Sequence, residues 1–338
     1  MSNVTNDAIP PSDRQRMREP WPPVIGTPGV TQGRYGRVGN LELVAPAVDD
    51  GLWVGWFNTD PDETYQGAAA GSWSGALRFA RGRRYVSATI AQVQAGPDFL
   101  EVLATSDAGE LRRLVWTPAD GFVDHGFLAH GVSGSSGVVE SPDGDHLVAV
   151  VDANGLQVLK GRPGHRYPAV VRETAGDRTW LGGVGMPELG DDVIVGVDAA
   201  WHAGPTGEEG HLDLVVRSRW GQVLLGCVSG PQMWTLVAER ADVAALAAAS
   251  HARAVVVVVD GHAWLHVIDP DVEGNPSEPV ELGPAEAVAV AAARVDGLGP
   301  WQIVLRVGDR LRHHSGGRSS DVVADGWAAP GTATLHRG

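Results

Sequence analysis

An apolar strand recurs six times along the 338-residue chain, a polar turn and a second strand follow each copy, and a run of small residues precedes each. Together these observations predict an all-β fold, a six-bladed β-propeller of four-stranded antiparallel blades. The recurring strand reads LELVAP from Leu41, LEVLAT from Leu100, LVAVVD from Leu147, LDLVVR from Leu212, AVVVVV from Ala254 and QIVLRV from Gln302. The 261 residues between Leu41 and Gln302 give a mean interval of about 52, within the range of propeller repeats. A seven-bladed ring and a pair of sandwiches are the alternatives.

The elements of each repeat follow in order. The segment before the recurring strand is made largely of small residues: VIGTPGVTQG, VSATIAQVQ, VSGSSGVVES, VIVGVDAAW, VAALAAASH and VAVAAARV. Strands crowded around a narrow axis have no room for bulky side chains, so these are the expected innermost strands. The strand after the turn reads GLWVGWF, ELRRLVW, GLQVLKG, GQVLLGC, HAWLHVI and DRLRHHS, with tight-turn residues such as Asp49-Asp50-Gly51 leading in. An outer strand follows in SWSGALRFA, YPAVVRET and QMWTLVAE. Two intervals are lengthened by TDPDETYQGAAAG and AAWHAGPTGEEG, insertions expected as loops on one face. The C-terminal WAAPGTATLHRG echoes WPPVIGTPGVTQG, so pairing of the chain termini is expected to close the ring. Residues 1–20 are expected as a flexible leader docking near Trp21, and residues 21–338 as one propeller domain.

Composition excludes several functions. A net charge of −15 repels phosphate backbones and anionic membrane surfaces, so neither nucleic acid nor membrane insertion is expected. The single cysteine, Cys227, excludes an intramolecular disulfide and a cysteine-based zinc cluster, and is expected as a small buried strand residue. The N-terminus has no basic segment leading into an apolar run, and no stretch reaches the about 18–20 apolar residues of a membrane span. A cytoplasmic location is the default.

The first repeat, LELVAPAVDDGLWVGWF…SWSGALRFARG, resembles a blade of the bacterial propeller lectins typified by the fucose-binding lectin of Photorhabdus. The resemblance is carried by Leu41, Glu42, Asp50, Gly51, Leu52, Trp53, Trp56, Trp73, Ser74 and Gly75. Later repeats keep the strand rhythm but place Leu111, Leu156, Val223, Trp264 and Leu311 where the first has Trp53. The resemblance implies sugar binding against aromatic rings in clefts between blades, at one or two sites. Trp53, Trp56, Trp73 and Asn58 are the candidate ligand-binding residues; the competing reading of the tryptophans is packing in the wedge between blades.

A second set of candidates lies on the inner strands, where Gln32, Arg34, Gln92, Gln94, Glu140, Asp198, His202, His251 and Arg294 interrupt the small residues. Polar side chains converging at a channel mouth can act as acid and base, and Glu140, Asp198, His202, His251 and Arg294 would be the catalytic set. Asp269, Asp271 and Glu273 begin like an oxygen-lined calcium loop, but Val280 stands where the bidentate Glu belongs. No other cofactor is expected. His313-His314 reads as a solvated turn, and no phosphate-binding, zinc-protease or nucleophile-elbow motif is present. Three functions remain open: a lectin-like propeller whose partner is a glycan or other small ligand, a propeller enzyme (lyase, hydrolase or cyclase) with its site at the channel mouth, and a protein-binding scaffold.

Overall fold

The computed structural model describes residues 16–36, 39–92, 99–142, 144, 145–153, 155–161, 171–174, 189, 192–202, 210–227, 234–249, 252–269, 277–293 and 299–327. They form six four-stranded antiparallel sheets, each built from four consecutive strands, plus one two-stranded ribbon. In chain order the blades are blade I (Gly29–Gln32, Leu41–Pro46, Leu52–Phe57, Leu77–Phe79), blade II (Tyr85–Gln92, Leu100–Ser106, Leu111–Thr117, Gly121–Ala129) and blade III (Gly137–Glu140, His146–Asp152, Gly155–Gly161, Val171–Thr174). Blade IV comprises Ile194–His202, His211–Ser218, Val223–Cys227 and Thr235–Ala238; blade V comprises Val243–Ala249, Ala252–Val259, His262–Ile268 and Val280–Pro284. Blade VI comprises Ala287–Ala292, Trp301–Val307, Arg310–Ser315 and Arg318–Asp321. No helix of the described residues is long and apolar enough to cross a membrane.

Each inner strand touches the inner strands of both neighbouring blades, which closes the ring around a channel of about 750 Å³. The second strands are buried along their whole length in Leu41–Pro46, Leu100–Ser106 and His146–Asp152, because neighbouring blades cover both of their faces. That double burial is why they read as continuous apolar runs rather than alternating ones. An apolar cluster fills each of the six interfaces between successive blades.

The termini pair as Arg16–Pro20 against Val323–Trp327. This ribbon is added to six complete blades and lends no strand to any of them. The segment 328–338, most of the expected terminal inner strand, lies outside the described residues. Just after the ribbon, Trp21 is 3% exposed in the cluster between blades VI and I, and its indole N–H donates to the Ser74 carbonyl at 2.9 Å.

His313 is a correction. It is buried on a strand, not solvated in a turn: it packs against Phe57 and Trp73, and its Nε2 lies 2.9 Å from Gln302 Oε1. Its neighbour His314 projects to the opposite side of the strand and meets the Ser319 hydroxyl.

Candidate functional site

In blade I the inner strand ends, the second strand begins and the third strand ends at one face of the ring, where Gln32, Leu41 and Phe57 lie side by side. Strand alternation decides which neighbour a side chain meets there. On Leu41–Pro46 the residues Leu41, Leu43 and Ala45 join the cluster with blade VI, while Val44 joins the cluster with blade II. Glu42 therefore points toward blade II. So does Trp56, its direct cross-strand partner.

On the other side of this interface, Leu100 pairs with Trp116, which places Trp116 toward blade I. Tyr35, in the connection after Gly29–Gln32, meets the Trp116 ring edge-on at 6.1 Å. Gln92 reaches in from the second inner strand and accepts the Arg34 backbone N–H at 2.5 Å. Gly33 is required at the centre: a Cβ there would stand 2.2 Å from Gln92 Oε1 and 3.2 Å from Glu42 Cγ. The interface between blades I and II thus gathers two indoles, a phenol, a carboxyl and a carboxamide at one face.

Glu42 is 5% exposed, and burial raises its pKa to about 8. The folded protein holds a proton there that the unfolded chain releases near pH 4.5, so this group's contribution to stability declines as pH rises from about 4.5 to about 8. Glu42→Gln is expected to flatten that decline and raise the melting temperature at pH 8–9. Melting curves of both proteins across pH 4–9 check it; parallel profiles would contradict the assignment.

The other candidate tryptophans do not join Trp56. Trp73 is 3% exposed and faces blade VI, edge-on to Trp21 and Phe57 at 6.1 and 5.4 Å. Trp53 lies toward the opposite end of its strand, beneath the Arg78 guanidinium at 5.3 Å, which in turn binds Asp50. Asn58 is buried and serves its own loop: its amide donates to the Glu63 and Ala68 carbonyls, and its oxygen accepts the Asp60 N–H.

Of the inner-strand candidates, Gln32, Gln92, Glu140 and Asp198 line the channel. Asp198 accepts the backbone N–H groups of Ala199 and Leu246, both at 2.9 Å, tying blades IV and V together; burial nevertheless raises its pKa to about 7. His202 was expected to face the channel but is turned into its blade, 3% exposed, with its ring 4.8 Å from that of His211. Gln94, His251, Arg294, Asp271 and Glu273 lie outside the described residues, and Asp269 is exposed.

No protein-family model and no curated protein matches the sequence. Solved structures do. AofleA from Arthrobotrys oligospora, solved as a triple arginine-to-alanine mutant, aligns with a TM-score of 0.60 at 11% identity, covering 94% of each chain. The SapL1 lectin, solved with alpha methyl fucoside, aligns at 0.57 with 14% identity over 91% of this chain and 98% of its own. A fucose-specific lectin from Aleuria aurantia aligns at 0.54 with 11% identity, over 91% and 99%. The fold is that of the propeller lectins.

On this six-bladed frame the register occupied by Glu42 carries a polar residue again in three more blades, at Glu101, Asp213 and Gln302, the last being the partner of His313. Glu101 binds Arg113 Nε at 2.5 Å and also binds His146 of blade III, and all three side chains are buried. Burial opposes ionisation of Glu101, but the bonds and charges of His146 and Arg113 outweigh it and hold the carboxyl below its ordinary value. Asp213 of blade IV receives Arg253 of blade V at 2.6 Å. His211, beside Asp213 and the Cys227 thiol, has its pKa raised to about 9 by those two groups. Sequence reading passed over Glu101, His146, Asp213 and Arg253, although a charged or polar residue at the same point of an apolar strand was the signal that marked them.

Proposed function

We propose that the protein is a carbohydrate-binding, lectin-like propeller that holds a sugar at the interface of blades I and II. The observation that carries this reading is the placement of Trp56 and Trp116 on opposite sides of that interface, with Glu42 beside them. Indole rings offer a broad rigid surface to the C–H face of a pyranose. A carboxyl held neutral by burial can donate one hydrogen bond and accept others, which suits a sugar hydroxyl pair. The solved neighbours that include a fucose-specific lectin and a lectin bound to alpha methyl fucoside support fucosides as the first ligands to test. The likeness of the first repeat to the Photorhabdus-type lectin blade points the same way, since Glu42 and Trp56 belong to it.

The pairing of an acid with facing indoles occurs at one interface among the described residues, so one site per chain is expected. Titration calorimetry with alpha methyl fucoside should give a stoichiometry near one, and Trp56→Ala should weaken binding at least about tenfold, the equivalent of about 1.4 kcal/mol. Silence of the wild type on an array of fucosides, galactosides and glucosamine polymers would remove the proposal.

A further inference from the structure

Blade IV carries a second constellation that the sugar site does not use. His202 pairs directly with His211 across the first two strands, and Asp213 pairs directly with Cys227 across the second and third. Directly paired residues project to the same side of an antiparallel sheet, and His211 and Asp213, two apart on one strand, share that side as well. Two imidazoles, a carboxylate and a thiol therefore meet on one surface of one blade. Ligand atoms of His202, His211 and Asp213 lie within 4.8 Å of one another.

We propose that these residues bind a zinc-type divalent cation, with His202, His211 and Asp213 as ligands and Cys227 completing a tetrahedron. The donor set of two nitrogens, one oxygen and one sulfur matches what zinc takes in proteins and differs from the all-oxygen shells of calcium and magnesium. Asp213 supplies the second observation. It is buried, its Oδ2 accepts Arg253 Nε, and its Oδ1 has only a long ion-pair contact, 3.4 Å from His211 Nε2, a nitrogen that also lies 2.9 Å from the Arg253 guanidinium. A buried carboxylate oxygen held by so long a contact gains from a metal ion at coordination distance, which takes the place of the His211 proton. Arg253 then serves as the supporting group that fixes the carboxylate's orientation. Metal–ligand arms of about 2.1 Å span a tetrahedron with edges of about 3.4 Å, so loading draws the His202, His211 and Asp213 ligand atoms together by up to about 1.5 Å. His211 and Cys227 are partly exposed, which gives the ion a path from solvent. The bound cation would staple the inner, second and third strands of the blade to one another.

The test uses the full-length protein, stripped with a chelator and titrated with Zn²⁺ and Co²⁺. The expected result is one tight equivalent per chain, a raised melting temperature, and a cobalt spectrum with a thiolate charge-transfer band that disappears in Cys227→Ser. His202→Gln combined with His211→Gln should weaken zinc binding by more than the about 10–100-fold that losing a supporting residue costs. Absence of a stoichiometric site in the wild type overturns the proposal, and so does undiminished binding by a folded double variant. If circular dichroism shows that the double variant does not fold, the cobalt band decides: its absence in the wild type, or its survival in Cys227→Ser, overturns the assigned ligand set.

Discussion

Glu101→Ala is expected to lower the melting temperature by about 5–10 °C. The side chain is fully buried between blades II and III and binds two cationic or potentially cationic partners, Arg113 and His146, that are themselves buried. Removing the carboxylate leaves the Arg113 guanidinium, 3% exposed, without its counter-charge, and breaking a buried pair in this way costs about 3–5 kcal/mol. Replacing the three residues together by apolar ones of similar volume should recover most of the loss, because it removes the stranded charge along with the pair. The same geometry sets a pH dependence. The folded carboxyl titrates below the ordinary glutamate value of 4.5, so its stabilisation is complete above about pH 4.5 and is lost as pH falls through the folded value. Acid unfolding of Glu101→Ala should therefore be shallower than that of the wild type below pH 4.5. Calorimetry across pH 2–7 reads both effects, and a variant as stable as the wild type at pH 7 would show that the triad adds nothing.

Gly137→Val should be as damaging for a different reason. A Cβ at Gly137 would stand 2.3 Å from the Ala199 nitrogen and 2.8 Å from the Ala199 Cβ, so the inner strands of blades III and IV would have to separate. Gly29 makes the corresponding approach to blade II, with a Cβ position 2.6 Å from the Thr89 Cα. The obstacle is backbone, which does not swing aside as a side chain does, and overpacking commonly costs about 1–3 kcal/mol even where neighbours can adjust. In a closed ring a displacement at one interface is passed to the others, so the loss should lie at or above the top of that range. Gly67→Ala is the contrasting substitution: nothing lies within 4 Å of its Cβ position, and the cost is confined to its left-handed φ of 88°. Melting temperatures of Gly137→Val and Gly67→Ala would rank them. A Gly137→Val protein that melts like the wild type would mean the inner strands are not in contact.

The architecture was legible because its two strongest signals are steric and repeat in every blade. Small residues mark the inner strands because inner strands touch one another, and apolar runs mark the second strands because both faces of those strands are covered. The third strands GLQVLKG and HAWLHVI, read from the turns that precede them, match the structure to the residue. The site was less legible, for a reason that Trp73 and Trp56 illustrate. Both are tryptophans at the same end of the same blade, yet one faces blade VI and is sealed by Trp21 and Phe57, while the other faces blade II beside Glu42. Composition does not encode that choice; the parity of strand register does. Trp116 was overlooked because it belongs to a repeat that does not resemble the first, and His202 was assigned to the channel because its strand, but not its side chain, faces the axis.

Because each blade is spun from one unbroken stretch of chain, the ribbon of Arg16–Pro20 with Val323–Trp327 ties the two ends of the polypeptide without exchanging a strand between them. The junction between blades VI and I is therefore a seam between two complete modules, as each of the other five junctions is. A gene reopened between any other pair of blades, with the present ends fused, would encode the same six modules in rotated order and should yield the same ring.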